Sequence, residues 1–215
     1  MSLHKFCYWL VIYVVKTVFL LFYRFKVYGK EHYISGSALI APNHVSFLDP
    51  PIIAAACPGE IHFLARQTLF KSWFGKMIGA LNTHPIQKDA ANLKVMKTIN
   101  QLLKSGHKVL LFPEGARSTD NQLQKIQPGI GMLLSKSETA IIPTYIHGTY
   151  EVWHRNSKLP KLFGKTAVVF GSPILWEDYA DMNKKEAQNL IQQHLADAIS
   201  GLKKWYEAGA EGIPP

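Results

Sequence analysis

A histidine and a carboxylate five positions apart, His44 and Asp49, lie in the stretch Ala41-Pro42-Asn43-His44-Val45-Ser46-Phe47-Leu48-Asp49-Pro50. A histidine oriented by a buried aspartate is a general base, able to take the proton of a hydroxyl. On a regular helix, five residues rotate two side chains by about 140° relative to each other. On a straight strand, odd spacing sends them to opposite faces. For the two to meet, the chain has to turn between them, where a strand ends and a helix begins. Strand ends of this kind are where α/β proteins place their chemistry. The same residues have a second use: Asp49 before Pro50 suits a helix N-cap, and Ser46 with Asp49 three on suits a capping box.

A second constellation, Phe112-Pro113-Glu114-Gly115-Ala116-Arg117-Ser118, also follows an apolar run. Arg117 can hold a phosphate bidentately, and freed backbone N–H groups around Gly115 can help. Taken alone, this loop is equally a polar turn with a surface Arg–Glu pair, which is worth little. Arg66 at a strand end and Lys88 in Ile86-Gln87-Lys88-Asp89 are further candidate phosphate ligands, with solvated surface charge as the alternative. His147-Gly148-Thr149 closes another strand, and His147 reads as structural.

These side chains need strands to carry them. Short apolar runs at Ser37–Pro42, Ile61–Ala65, Lys108–Phe112, Ala140–Ile146 and Thr166–Phe170 read as strands. Val27–Lys30 reads as an edge strand, and Pro143 inside its run suggests an edge or a bulge. Pro50–Cys57 reads as a helix with proline in its first turn, stopped by Pro58-Gly59. Apolar spacing predicts further helices over Ala90–Lys104, Ile130–Ser135 and Lys184–Glu207, the last with Ile191, Leu195, Ala198, Leu202 and Trp205 inward. Strands alternating with helices predict an α/β layered fold, a largely parallel central sheet flanked by helices.

The 215 residues carry a formal charge of +9 and are 47% hydrophobic, enough for one sizeable core and an acidic partner. Phe6 to Tyr23 is apolar or aromatic except for Lys16 and Thr17, with Lys5, Arg24, Lys26 and Lys30 flanking it. As a helix it would extend about 27 Å, just short of the ~30 Å hydrocarbon core. Arg24-Phe25-Lys26 is wrong for a signal-peptide cleavage site. An apolar-all-round helix can also be a buried core helix. The reading preferred is a membrane-anchoring helix over residues 1–26, lying in or partly through one leaflet, followed by an α/β domain over 27–215. Cys7 and Cys57 lack disulfide or metal spacing. Missing G-x-S-x-G, P-loop, G-x-G-x-x-G and H-E-x-x-H patterns withdraw support from serine hydrolysis, nucleotide chemistry and zincin chemistry. The aromatic residues concentrate in the apolar helix rather than among basic residues, which disfavours a nucleic-acid partner.

In order, these motifs resemble the glycerolipid acyltransferase family, typified by 1-acyl-sn-glycerol-3-phosphate acyltransferases. The family's N-H-x-x-x-x-D stands intact as Asn43-His44 to Asp49. Its F-P-E-G-T-R-S stands as Phe112 to Ser118 with Ala116 replacing threonine, and a V-P-V strand is matched by Ile142-Pro143-Thr144. The remaining motif, around G-x-x-F-I-x-R, departs: Lys88 stands where arginine is expected, keeping the charge without the planar fork.

The resemblance implies a membrane-associated O-acyltransferase; no residue of the sequence calls for a metal, and no cofactor is expected. His44, assisted by Asp49, would deprotonate the hydroxyl of lysophosphatidic acid. The alkoxide would attack an acyl thioester, acyl-CoA or acyl carrier protein, without an acyl-enzyme. Arg117, Glu114 and Gly115 would hold the glycerol phosphate, Lys88 and Arg66 would add charge, and Pro143 would shape the acyl-donor side. The expected location is the cytoplasmic face of a membrane, a bacterial inner membrane. Glycerol-3-phosphate or another lysophospholipid as acceptor stays open, as do a thioesterase with water as nucleophile and a catalytically silent lipid-binding protein.

Overall fold

The computed structural model describes residues 3–71, 79, 81–86 and 92–215. Its central strand is β2 (Ala38–Pro42), buried at all five positions. Successive side chains of a strand point to opposite faces. Accordingly Ala38 and Ile40 enter one apolar cluster while Leu39 and Ala41 enter another. Helices cover both faces, which is why the run is continuously apolar rather than alternating.

The other described strands and α-helices, in chain order, are α1 (Leu3–Tyr23), β1 (Lys26–Tyr28), α2 (Asp49–Ala56), β3 (Ile61–Arg66), β4 (Thr83–Ile86), α3 (Asn92–Lys104), β5 (Lys108–Leu110), α4 (Gly129–Ser137), β6 (Ala140–His147), α5 (Thr149–Trp153), β7 (Ala167–Phe170), β8 (Ile174–Leu175) and α6 (Lys184–Glu207). The sheet order is β1-β7-β6-β2-β5-β3-β4, with β8 pairing β6 off that path. β6, β2, β5, β3 and β4 form a parallel block; β7 and β8 run antiparallel to β6, and β1 runs parallel to β7. The expected α/β layered architecture is present, and β1 lies at the edge where the sequence placed it. Strand β4 was not expected from the sequence, because Thr83-His84-Pro85-Ile86 has too few apolar residues to declare itself.

One layer holds α1 and α2, packed on Ile40, Leu110 and Ile142; the other holds α3, α4 and α6, packed on Leu39, Val109 and Ile141. α6 buries Ala187, Ile191, Leu195, Ile199 and Leu202. The stripe therefore runs through Ile199 rather than Ala198, and Trp205 sits only half-buried at its end. Each fully buried Ile or Leu contributes roughly 1.5–3 kcal/mol, which makes this stripe the main attachment of α6. Asn183 caps the helix by accepting from the Lys185 backbone N–H.

Pro143 corrects the expectation of an edge or bulge. It lies inside β6, opposite Ala41 of β2. On its other side, β8 pairs with Ala140 and Ile141, and β7 begins at Thr144. The missing N–H therefore falls at the break between two neighbouring strands, while the Pro143 carbonyl still accepts from Gly171 N–H at 2.8 Å. No ladder bond is lost.

α1 has two apolar faces with different surroundings. Tyr8, Ile12, Phe19 and Tyr23 are buried in the same cluster as α2 and the sheet. Leu3, Phe6, Leu10, Tyr13, Val14 and Leu21 are exposed. The packing is continuous across residue 26, so the helix is a structural part of the body that follows it.

Candidate active site

Because β6, β2, β5 and β3 are parallel neighbours, their C-terminal ends open at one edge of the sheet. They deliver there, side by side, Thr149 after β6, His44 to Asp49 after β2, the 112–118 loop after β5, and Arg66 at the end of β3. Asn43 makes the first step beyond β2. Its Nδ2 donates to the Ile146 carbonyl at 3.1 Å and its Oδ1 accepts from Ile146 N–H at 2.7 Å. The amide side chain thus stands in for strand backbone and ties the start of the turn to β6.

His44 and Asp49 meet as the turn argument requires. His44 Nδ1 lies 2.8 Å from Asp49 Oδ2, and a carboxylate can only accept, so Nδ1 carries the proton and Nε2 keeps its lone pair. The Asp49 side chain is fully buried, whereas His44 keeps 17% of its side-chain surface. Oδ2 also accepts from the backbone N–H groups of Val45 and Ser46, each at 2.7 Å. Oδ1 accepts the Thr149 hydroxyl at 2.7 Å. The expected cap is corrected: Asp49 is the first residue of α2, whose N-cap is Leu48 with no side-chain cap, and its carboxylate instead takes the Ser46 N–H and orients the imidazole. Ser46 Oγ accepts from Leu48 N–H at 3.0 Å and donates to the Trp153 carbonyl at 2.6 Å. It is a structural hydroxyl, fully occupied.

The 112–118 loop clamps His44 from the other side. Phe112 stacks on the imidazole at 3.7 Å with the planes 16° apart. Glu114 Oε1 accepts from His44 N–H at 2.5 Å, and Ser118 N–H donates to the His44 carbonyl at 2.8 Å. Glu114 Oε2 accepts from Gln124 N–H at 2.7 Å. The Glu114 carboxyl is buried, and burial pushes its pKa up to about 7 against the pull of those two amides. Both Glu114 oxygens are thus engaged by backbone amides, one of them that of His44. Gly115 sits at φ +75°, where the chain reverses between Glu114 and Arg117.

Arg117 lies flat on Phe47, its guanidinium carbon 3.6 Å from the ring centroid. Its Nη1 is buried with no hydrogen-bond partner. Burial, then Arg155, lowers its pKa, with Arg66 adding in the same direction and Asp49 opposing. The charges of Arg155 and Arg66 thus bear on Arg117, and an anion beside it would be favoured. Arg66 is exposed at the end of β3. Pro143 lies buried within β6 rather than on an open surface. Lys88 lies outside the described residues.

Reading the sequence alone misses Thr149, Phe47 and Arg155, and sees Phe112 only as part of a motif. Thr149 stands 100 residues from Asp49, and nothing local couples them. Gly148 before it takes φ +80°, and a Cβ there would come within 1.8 Å of the Lys165 carbonyl oxygen. A glycine forced by crowding next to a strand end marks a turn whose following side chain is placed with care.

A histidine held by a buried carboxylate, near an arginine with an unpartnered buried nitrogen, has the geometry to activate a hydroxyl beside an anion. The chain belongs to the acyltransferase family, whose model matches residues 24–147. It is an acyltransferase by that membership, and its relatives narrow the class. It is 26% identical over 183 residues to the 1-acyl-sn-glycerol-3-phosphate acyltransferase of Bacillus subtilis, covering 83% of this chain and 87% of that one. It is 27% identical to a chloroplastic 1-acyl-sn-glycerol-3-phosphate acyltransferase of Arabidopsis thaliana, over 81% of this chain and 50% of the plant protein. The fold matches the crystal structure of the 1-acyl-sn-glycerophosphate acyltransferase of Thermotoga maritima with a TM-score of 0.74. That match covers 90% of this chain and 80% of the other, at 22% identity.

Proposed function

We propose that this acyltransferase moves a fatty acyl group from an acyl thioester, acyl-CoA or acyl carrier protein, to the free sn-2 hydroxyl of 1-acyl-glycerol-3-phosphate, giving phosphatidic acid at a membrane surface. The observation that carries the reading is the His44–Asp49 pair. The carboxylate has no accessible surface and four hydrogen bonds, so its geometry is set before substrate arrives. Names of the relatives support the acceptor.

His44 Nε2 takes the hydroxyl proton as the acceptor oxygen bonds to the thioester carbonyl carbon. Asp49 stabilises the imidazolium through Nδ1–H, as in a triad whose nucleophile comes with the substrate. When the C–S bond breaks, the sulfur leaves with its electron pair and receives that proton from His44. No group is left on the enzyme. Arg117, preorganised on Phe47 with a free buried donor, holds the acceptor's phosphate, and Arg66 and Arg155 add positive field. α1 lies in the membrane interface, its Tyr8–Tyr23 stripe on the protein and its opposite apolar face on lipid. A helix long and apolar enough to span is compatible with this because one face is already used.

The test is thiol release by purified protein from acyl-CoA and from acyl carrier protein, with and without lysophosphatidic acid. Acceptor-dependent release with a diacyl product is expected. Release of free fatty acid without acceptor would replace transfer by hydrolysis, and product made equally well by His44→Ala would remove the base.

A further inference from the structure

We infer that the segment from Ser157 to Lys165 is a second membrane-docking element, seated on the headgroups of an anionic bilayer beside α1. It deepens the membrane part of the proposed function and is separable from it by experiment. Leu159, Leu162 and Phe163 are 79%, 64% and 66% exposed, although nothing in a soluble loop requires three large apolar side chains in open water. Lys158, Lys161 and Lys165 alternate with them and are also exposed, and no acidic residue occurs between Val152 and Trp176. Apolar side chains interleaved with lysines are the pattern of an interfacial segment: the first enter the acyl boundary while the second meet lipid phosphates.

The loop is also rigidly presented. Lys161 N–H donates to the Val152 carbonyl at 2.9 Å, and Gly164 N–H donates to the Phe22 carbonyl at 3.2 Å. The Tyr23 hydroxyl donates to the Lys161 carbonyl at 3.2 Å, and Trp153 Nε1–H donates to the Ser157 carbonyl at 3.2 Å. Gly164 packs so tightly that a Cβ would approach Val152 Cγ2 to 2.6 Å. Phe163 meets Phe22 of α1 with ring centroids 5.9 Å apart, which makes the loop's apolar surface continuous with that of the helix. Just before the segment, at the end of α5, the chain reaches the site. Trp153 packs on Phe47 at 5.0 Å, and Ser46 Oγ donates to the Trp153 carbonyl. Docking of the loop would therefore fix the height of the His44 site above the bilayer.

The experiment is co-sedimentation of the intact protein with vesicles of phosphatidylcholine alone and of equal parts phosphatidylcholine and phosphatidylglycerol. Three proteins are compared: wild type, Leu162→Ser/Phe163→Ser, and Lys158→Glu/Lys161→Glu. All substituted side chains are exposed, and unchanged thermal unfolding verifies the fold. The apolar pair is expected to lower partitioning to both vesicles by about tenfold or more. Charge reversal is expected to lower it only on the anionic vesicles. Both variants binding like wild type, while a Leu10→Ser/Leu21→Ser variant of α1 loses binding, would overturn the loop and keep the helix. Wild type binding neither vesicle would overturn the membrane reading as a whole. A loop variant that dissociates an oligomer without changing vesicle binding would assign the surface to a second protein instead.

Discussion

The Thr149 hydroxyl donates to Asp49 Oδ1 at 2.7 Å, so a residue on the turn after β6 holds the carboxylate that holds His44. Both residues are fully buried, and the bond joins the ends of two neighbouring parallel strands. Thr149→Val keeps the shape and removes the donor, leaving Oδ1 unpaired at a cost of about 1–3 kcal/mol. It is expected to lower kcat by about tenfold or more while leaving KM for both substrates near wild type, since Thr149 touches neither. Thr149→Ser should restore kcat. A fall in stability with unchanged kcat would reduce Thr149 to a packing residue.

His44 and Asp49 should differ in what their loss does to folding. His44→Ala removes a partly exposed ring and is expected to leave thermal unfolding within a few degrees while reducing turnover about 10²–10⁴-fold. Asp49→Ala strips the acceptor from Val45 N–H, Ser46 N–H, His44 Nδ1–H and the Thr149 hydroxyl together. It is expected to destabilise the protein by roughly 3–5 kcal/mol as well as inactivate it, measurable by urea unfolding. Equal stability of the two variants would contradict the buried network.

Glu114 predicts a stability that falls as pH rises. Its carboxyl titrates near 7 in the folded chain against an ordinary 4.5, because burial favours the neutral form. Below about pH 4.5 both states hold the proton, and its contribution is at its greatest. Between the two values the folded chain binds more proton than the unfolded one, so stability declines, by at most about 3 kcal/mol, and levels off above pH 7. Glu114→Gln should flatten that part of the stability profile. It should also slow turnover, since an amide nitrogen cannot accept the second backbone N–H and the clamp on His44 loosens.

Arg117→Lys tests the phosphate subsite more sharply than alanine does. Lysine keeps the charge but loses the flat contact on Phe47 and the paired donors. KM for the acceptor is expected to rise about tenfold or more, with KM for the thioester unchanged. An unaltered acceptor KM would take Arg117 out of the subsite.

Removing residues 1–24 would strip Tyr8, Ile12, Phe19 and Tyr23 from the main core. The expected outcome is an aggregating or unfolded chain, because each buried large side chain deleted costs about 2–5 kcal/mol. Serine substitutions at the exposed Leu10, Tyr13 and Leu21 should instead preserve thermal unfolding and weaken vesicle binding.

Much of this was legible in the sequence because it is local. Apolar runs of strand length, helical spacing over Lys184–Glu207, and the order of two motifs identify the α/β class and the family-type site before any coordinates. The turn between His44 and Asp49 was foreseen as the condition for their meeting, and the meeting itself is a finding of the structure. β4 and α5 were not legible: Thr83–Ile86 has mixed polarity, and Thr149–Trp153 is too short to show a period.

What the sequence determined by itself is therefore the kind of fold and the two motifs that carry His44, Asp49 and Arg117. Tertiary structure alone decided that β6, β2, β5 and β3 are neighbours, and so that Thr149 completes Asp49 and that Phe112 and Glu114 clamp His44. It also turned the Glu114 carboxylate inward and laid Arg117 on Phe47. The physical reason is that periodicity and spacing report only what neighbours along the chain do. Hydrogen bonds across 70 to 100 residues depend on strand order, which is set by how the two apolar faces of the sheet are covered.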